Sequence, residues 1–247
     1  MSEVIAQADT SANRIAIQGD LRFRLEHDWN SRRANGTLRD DRSRMRIRMR
    51  LGMTYQPRPW LQAGIAVRTG RADNQQDPNI TFGLSDSEFS VFALGVSKAY
   101  IKLQGAHFSG WFGKNAFPFV TQNELFWCGS VNPEGVTLAY KRTYESGLLR
   151  ELRLTAGHYI AIANQGGFAE DGYLQGFQLS TRLGDRVRVY PGLFRFRNLP
   201  DIPDGRGNVT LDYSVLHLGG DVTVVTGPPL RLGIDFYSNT EDYQNVP

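Results

Sequence analysis

The sequence predicts an all-β fold, and three patterns along its 247 residues support that prediction. Apolar and polar side chains alternate with a period of two in segment after segment, as expected for strands whose two faces meet different surroundings. Short and long connections alternate between these segments. No segment approaches the ~18 consecutive apolar residues of a membrane-spanning helix. We therefore expect antiparallel strands that follow one another as a meander.

The alternation is sharpest in the first three predicted strands, at 14–29, 43–55 and 61–71. Strand 43–55 carries arginine at four successive even positions, with methionine, isoleucine or leucine between them. An arginine on a lipid-facing surface costs roughly 2–4 kcal/mol at the bilayer midplane. If these strands cross a membrane, the arginines must therefore face the interior of a barrel, whereas in a soluble protein they would face water.

Eight further strands are less regular. Their predicted bounds are 96–104, 108–115, 135–144, 149–160, 173–183, 186–197, 211–225 and 230–238. Within 186–197 the parity of the apolar residues changes at Pro191-Gly192, from two valines before it to two phenylalanines after it. We predict a β-bulge or break there, because proline lacks a ladder donor and glycine tolerates the bend.

Short turns and long polar connections alternate along the chain. The short turns lie near 56–60, 105–107, 145–148, 184–185 and 227–229, and the long connections near 30–41, 72–94, 118–134, 163–171 and 200–210. Bacterial outer-membrane barrels have short turns on one side of the membrane and long loops on the other, and several strands reach the ~9–11 residues that cross a bilayer. The predicted fold is an antiparallel transmembrane β-barrel of meander topology, with a soluble sandwich of two packed sheets as the alternative.

The predicted strand count indicates an incomplete barrel. About 11 strands are fewer than the roughly 16–18 of most pores, and bacterial single-chain barrels have even strand numbers. We therefore expect residues 14–247 to form the N-terminal portion of a larger barrel. Residues 1–13 are predicted to be a disordered leader, in which Ala6-Gln7-Ala8 before Asp9 reads as the remnant of a signal-peptidase site or, alternatively, as part of a plain polar segment.

The 28 basic residues comprise 24 arginines and four lysines. Arginine stays charged and presents a planar donor fork that suits carboxylate and phosphate groups. We predict a basic pore lining formed by Arg22, Arg24, Arg44, Arg46, Arg48, Arg50, Arg68, Lys98, Lys102 and Lys114. Local clustering with a net charge of only +3 argues against a general nucleic-acid binder.

Like charges on adjacent strands repel each other, so a basic wall needs compensating groups. The connection 118–134 is unusually rich in Phe and Trp for a solvent-exposed loop, and it carries two carboxylates. Two interpretations are open. The connection enters the lumen and narrows the pore, with Glu124, Trp127 and Glu134 as constriction residues, or it packs on the rim or against a neighbouring subunit.

Several stretches resemble a bacterial putative-porin family, from about residue 17 to residue 140. They are Gly19–Glu26, Asp41–Arg48, Val67–Gly70, Lys98–Lys102, Gly113–Phe117 and Phe126–Gly135. The resemblance implies an outer-membrane porin for small solutes that contacts lipid and lipopolysaccharide and forms a homo-oligomer such as a trimer. Cys128 and Ser130 stand where acidic residues are expected, which weakens any compensation of the basic wall from this loop.

The sequence favours a passive, Arg-lined channel for small, anionic solutes over an enzyme. The four histidines lack metal-ligand spacing, and neither a cofactor motif nor a nucleophile motif is present. We therefore expect no metal, no cofactor, no nucleic-acid partner and no catalytic residue. The alternatives are a non-conducting binding or adhesion barrel and, less favoured, a barrel hydrolase with a serine nucleophile.

Overall fold

The computed structural model describes residues 5–8, 14–33, 35–71, 74–83, 91–163, 167–200, 210–227 and 229–241. The chain forms two compact units, Met1–Ala99 and Tyr100–Pro247. Strands predominate in the described residues, and their single helix is a 3₁₀ turn at Phe168–Glu170. Across the described ranges, no helix has the length and apolar character needed to span a membrane.

Thirteen strands lie in the described residues. Their bounds are β1 Ile5–Ala8, β2 Arg14–Asp28, β3 Arg42–Arg58, β4 Leu61–Thr69, β5 Ile80–Thr81, β6 Leu94–Gln104, β7 Phe108–Lys114, β8 Glu134–Thr143, β9 Leu149–Ile162, β10 Gly172–Leu183, β11 Val187–Pro200, β12 Thr210–Thr226 and β13 Pro229–Asn239. Apart from β5, each strand is hydrogen-bonded to the next in chain order. The predicted all-β antiparallel meander is confirmed, and the eleven predicted strands all occur with ends within three residues of the prediction.

Two strands were not predicted from the sequence. β1 pairs with residues 15–18 of β2 and falls in the segment assigned to a disordered leader. The signal-cleavage site stays a prediction. β5 pairs with Arg46 and Ile47 of β3, which precede Arg50, the first residue of β3 that pairs with β4. Strands of two and four residues are too short to show the alternation on which the sequence prediction relied.

Of the predicted bulge or break at Pro191-Gly192, the bulge is wrong, whereas the pairing of β11 with β10 does lapse at Tyr190 and Pro191. Gly192 lies opposite Gln178 of β10 and His217 of β12, and the register of β11 is unbroken at this point. The register shift lies instead between Phe196 and Leu199. The apolar parity changes because Phe194 and its neighbour Phe196 pack beneath the connection between β7 and β8, so that both faces of β11 are apolar there.

One face of the strands in each unit consists of exposed apolar side chains. Leu25 of β2 is 81% exposed in the first unit, and Ile234 of β13 is 72% exposed in the second. The buried apolar cluster of the second unit lies on the other face, at Trp111, Phe119, Tyr159, Leu174 and Phe194. Large exposed apolar side chains that recur along strand after strand are typical of a face that meets lipid or a partner rather than water.

We predict that Leu138→Arg lowers the free energy of unfolding from a bilayer, since Leu138 lies on the exposed apolar face of β8. The expected loss is roughly 2–4 kcal/mol near the bilayer midplane. Lys102→Arg is the control, because it keeps one charge on the opposite face of β6. Urea titration of both variants refolded into phosphatidylcholine vesicles measures the difference, and equal stability would contradict this assignment of faces.

Candidate functional site

The polar face of the first unit carries the cluster that we call the arginine ladder, which comprises Arg22, Arg24, Arg42, Arg44, Arg46, Arg48, Arg50 and Arg68. Residues directly opposite each other in an antiparallel pair share a face. The register of β2 and β3 therefore brings the predicted arginines together, and Arg50 lies opposite Arg68 of β4. Lys98 of β6 lies near enough to Arg50 for the two charges to repel each other.

The ladder has complementary ends and a like-charge centre. The end pairs join an acid on β2 to an arginine on β3, at Asp20–Arg50, Glu26–Arg44 and Asp28–Arg42. At the centre, Arg22 lies opposite Arg48, and Arg24 lies opposite Arg46. Like charges directly opposite each other destabilise a strand pair. The centre therefore needs partners from outside these four residues.

Carboxylates of β2 supply part of the compensation. Each of the three contacts at least two arginines. Asp20 pairs with Arg48 at 2.7 Å and with Arg50, and Asp28 pairs with Arg42 at 2.8 Å and with Arg44 at 2.9 Å. Glu26 pairs with Arg24, with Arg44 at 2.8 Å and with Arg46 at 3.6 Å. The acids at the ends thus also serve the centre. Sequence parity places these acids on the arginine face, and only the register decides which arginines each of them contacts.

The connection between β4 and β6 supplies the rest. Its Asp77 carboxylate accepts a hydrogen bond from Arg46, and its Asn79 side-chain oxygen accepts one from Arg22 at 2.8 Å. The Arg68 guanidinium donates to the carbonyl oxygen of Asn74 at 2.8 Å. Gly70 makes this close approach feasible, because its φ is 104° and an added Cβ would lie 2.8 Å from the carbonyl oxygen of Asp77. The segment 74–79 is therefore folded against the arginine ladder.

Asp77 lies outside the strands, and its pKa is lower than the ordinary value of 3.8. Burial by itself raises the pKa of this carboxyl, but hydrogen bonds from Asn79 and Arg46 to the charged form outweigh burial. The carboxylate consequently remains ionised under mildly acidic conditions, and the Asp77–Arg46 contact persists with it.

We predict that this contact is complete above about pH 4 and is lost as the pH falls through the lower folded pKa of Asp77. The backbone amide of Asn79 donates to Asp77 at 3.1 Å, so its hydrogen exchange reports the contact. Protection of this amide should fall in acid, after correction for intrinsic exchange. Asp77→Asn lacks the titrating group, and an identical pH profile in that variant would contradict the prediction.

In the second unit, the β7–β8 loop (residues 115–133) lies against the polar face of the strands. Phe119 packs edge-on against Phe194 of β11 at 5.1 Å, and Phe117 stacks on Trp127 within the loop at 4.2 Å. Gly176 of β10 makes room for the Phe119 ring, since an added Cβ would lie 2.4 Å from it. Of the two interpretations left open by the sequence, this arrangement favours the one in which the loop covers the polar side.

Polar side chains of the strands bind the backbone of the same loop. The Gln178 side chain forms two hydrogen bonds with Val120, in which the amide of Val120 donates at 2.8 Å and its carbonyl oxygen accepts at 2.9 Å. The backbone amide of Gln122 donates to Asp235 at 2.6 Å, and its side chain donates to Asp221 at 3.0 Å and to Tyr190. These bonds hold residues 120–122 in a fixed position over the strands.

The buried pair His217–Asp235 also belongs to this contact. His217 Nε2 lies 3.0 Å from an Asp235 oxygen, and both side chains are 0% exposed. A histidine and a carboxylate in this arrangement resemble the base and its orienting group in a hydrolase. However, Nδ1 of His217 faces the Gln178 amide at 3.4 Å, and Tyr237 stacks on the ring at 4.5 Å. The pair therefore supports the loop and leaves no ring nitrogen for a nucleophile.

Four of the remaining residues predicted to line or constrict a pore, Lys114, Glu124, Trp127 and Glu134, have local partners. Lys114 and Glu134 form an ion pair at 2.5 Å at the junction of β7 and β8. Glu124 accepts a hydrogen bond from the amide of Gly129, and Trp127 donates to the carbonyl oxygen of Val131 at 2.9 Å. Lys102 lies on β6 near Arg153, whose charge repels it. Glu124 and Glu134 thus serve their own loop and its base.

A second group of charges lies on the polar face of the second unit, near its short turns. We call it the turn-side band, and its members are Lys102, Lys141, Glu151, Arg153, Arg182, Arg188, Asp221 and Arg231. Arg188 and Arg231 both bind Asp221, whose side chain is 3% exposed. The sequence analysis missed most of this band, because its residues are spread singly over strands that carry no repeated arginine. Among the described residues, no group of three or more His, Cys, Asp and Glu could hold a metal ion.

A family model described as "Putative porin" matches residues 33–181, which is more than half of the chain. The chain belongs to the putative porin family. No curated protein matches the chain. The match includes β3 with its arginines, the connection that carries Asp77, and the β7–β8 loop. Membership indicates a porin-like role at the outer membrane and favours a channel over an enzyme.

We predict that Gly176→Ala in this porin loosens the β7–β8 loop, because the added methyl group collides with the Phe119 ring. Overpacking of this kind costs roughly 1–3 kcal/mol. Gly105→Ala is the matched control, since its Cβ would have only an ordinary contact at 3.5 Å. The expected result is a lower melting temperature and faster proteolysis within 115–133 for Gly176→Ala alone, and unchanged behaviour of both variants would contradict the packing.

Proposed function

We propose that this porin forms a passive channel for small solutes and that the channel prefers anions. The observation that carries the proposal is the charge of the polar face in the first unit. Among the described residues of the ladder and its partners, eight arginines outnumber four carboxylates, and six of the arginines form ion pairs with them. Fixed positive charge in a confined aqueous space raises the local concentration of anions.

The turn-side band of the second unit supports the same preference. Its six basic side chains exceed its two carboxylates, Glu151 and Asp221, within the part of the chain that the structure describes. Guanidinium groups orient carboxylate and phosphate through paired hydrogen bonds, so solutes bearing such groups would be favoured over chloride-sized competitors at equal charge. Transport of this kind needs no covalent step and no cofactor.

The proposed setting is the outer membrane. The exposed apolar faces would meet lipid, and lipopolysaccharide and further copies of the chain, such as those of a trimer, are the expected neighbours. Leu25 and Ile234 illustrate the surface that such neighbours would cover.

A non-conducting barrel with a plugged lumen is the second candidate. The β7–β8 loop favours it, because four strands, β10 to β13, hold that loop by hydrogen bonds against their polar face, and aromatic contacts add to them. A loop held in this way could block passage rather than narrow it. Single-channel recording separates the two candidates, since a plugged barrel would insert into the membrane without steps of conductance.

We predict that the wild-type porin in planar bilayers with a potassium chloride gradient gives a reversal potential of the sign that favours chloride. Arg46→Glu combined with Arg48→Glu should move this potential towards potassium, because two positive charges of the ladder become negative.

Arg14→Glu combined with Arg58→Glu provides the charge-matched control. Both residues lie at the strand ends away from the ladder, where Arg14 pairs with Gln56 and Arg58 pairs with Leu61. This control should change the reversal potential much less than the ladder variant. Preference of the wild type for potassium, or equal shifts in the two variants, would count against the proposal.

A further inference from the structure

Arg22, Arg24, Arg46 and Arg48 form what we call the four-arginine centre. The same two strands pair acid with arginine on both sides of this centre, at Asp20–Arg50 and Glu26–Arg44. The centre is thus a local interruption in a complementary arrangement. An interruption of this kind costs stability by itself. A negatively charged group that occupies the centre part of the time would offset this loss of stability.

The centre is incompletely satisfied by the described residues. All four Nε atoms are buried and lack a hydrogen-bond partner. The side chains of Arg46 and Arg48 are only 11% and 14% exposed, so water compensates them poorly. Buried donors without a partner are costly, and charged donors especially so. An incoming oxyanion would supply the missing acceptors.

The connection between β4 and β6 already presents such acceptors to the centre. The Asp77 carboxylate contacts Arg46, and the Asn79 amide oxygen contacts Arg22 at 2.8 Å. Asp77 is 45% exposed and lies on a connection rather than on a strand, so its displacement breaks no pairing of β2 with β3. Arg24 and Arg48 are paired with carboxylates of β2, and among the described residues of this connection none provides them with an acceptor oxygen.

We infer that the four-arginine centre is a binding site for a small dianionic oxyanion, in which Asp77 is a tethered competitor for the same guanidinium groups. The inference rests on the proposed function for its solute class, and it names the part of the ladder that recognises the solute. Successive pairs on one face are about 7 Å apart along the strands, so two pairs accommodate two negative oxygen-bearing groups or one compact dianion between them. Dicarboxylate and phosphate share this chemistry.

Binding to the full chain in detergent micelles tests the inference without requiring conductance. Isothermal titration with succinate, hydrogen phosphate and acetate compares two dianions with a monoanion. At least one dianion should bind about tenfold more tightly than acetate, since it gains a further charge-assisted interaction. Succinate alone, phosphate alone or both would identify the source of the oxyanion. No preference for either dianion over acetate overturns the inference.

Variants separate recognition from folding. Asp77→Asn removes the competing charge and should tighten dianion binding severalfold, whereas Arg24→Gln combined with Arg48→Gln should abolish the dianion preference. Arg14→Gln combined with Arg58→Gln is the matched control, because both residues lie at the ends of β2 and β3 away from the ladder. Weaker binding in Asp77→Asn would overturn the role of Asp77, and this test stands even if the double variant fails to fold.

The outcome is distinguishable from failure of the proposed function. Dianion binding without conductance would refute the channel and retain the site, as in a binding barrel. Conductance with anion preference but without dianion binding would retain the channel and refute the site.

Discussion

The longer strands described for this porin keep most of their charges on one face, because the other face is apolar and exposed. In β3 this constraint places five arginines in a row on the polar face, with Met45, Leu51 and Met53 exposed on the other. Arginines that could avoid one another on a soluble surface are thereby forced into register with those of β2. The compensating carboxylates and the folded connection of the first unit are consequences of that crowding.

The two units compensate their polar faces by different means. In the first unit, the connection after β4 brings a carboxylate and an amide oxygen to guanidinium groups. In the second unit, the β7–β8 loop brings aromatic rings, which pack on Phe194 and Tyr159, and backbone groups, which bond to Gln178 and Asp235. Guanidinium groups are stabilised by acceptor oxygens, whereas an apolar patch is stabilised by the burial of aromatic rings. The connection over each face therefore carries the residue types that suit that face.

The apolar patch on β11 explains why the prediction of a bulge failed. Alternation identifies a strand only while one face is polar, and Phe194 is buried beneath the loop on the face expected to be polar. The same contact accounts for the aromatic composition of the loop, which sequence had marked as unusual. The pair His217–Asp235 has the arrangement of a catalytic base and its orienting group. The contact of the other ring nitrogen with Gln178 shows that the pair supports the loop instead.

The sequence by itself determined the all-β meander and the grouping of the arginines of β2 and β3, since a period of two fixes which residues share a face. It also carried the family resemblance. Only the tertiary structure decided which oxygens meet those arginines, because Asp77 lies 31 residues from Arg46 and within a connection that has no periodic pattern. The same holds for the turn-side band and the loop contacts at Gln178 and Asp235, because single polar residues on separate strands become neighbours only through the register.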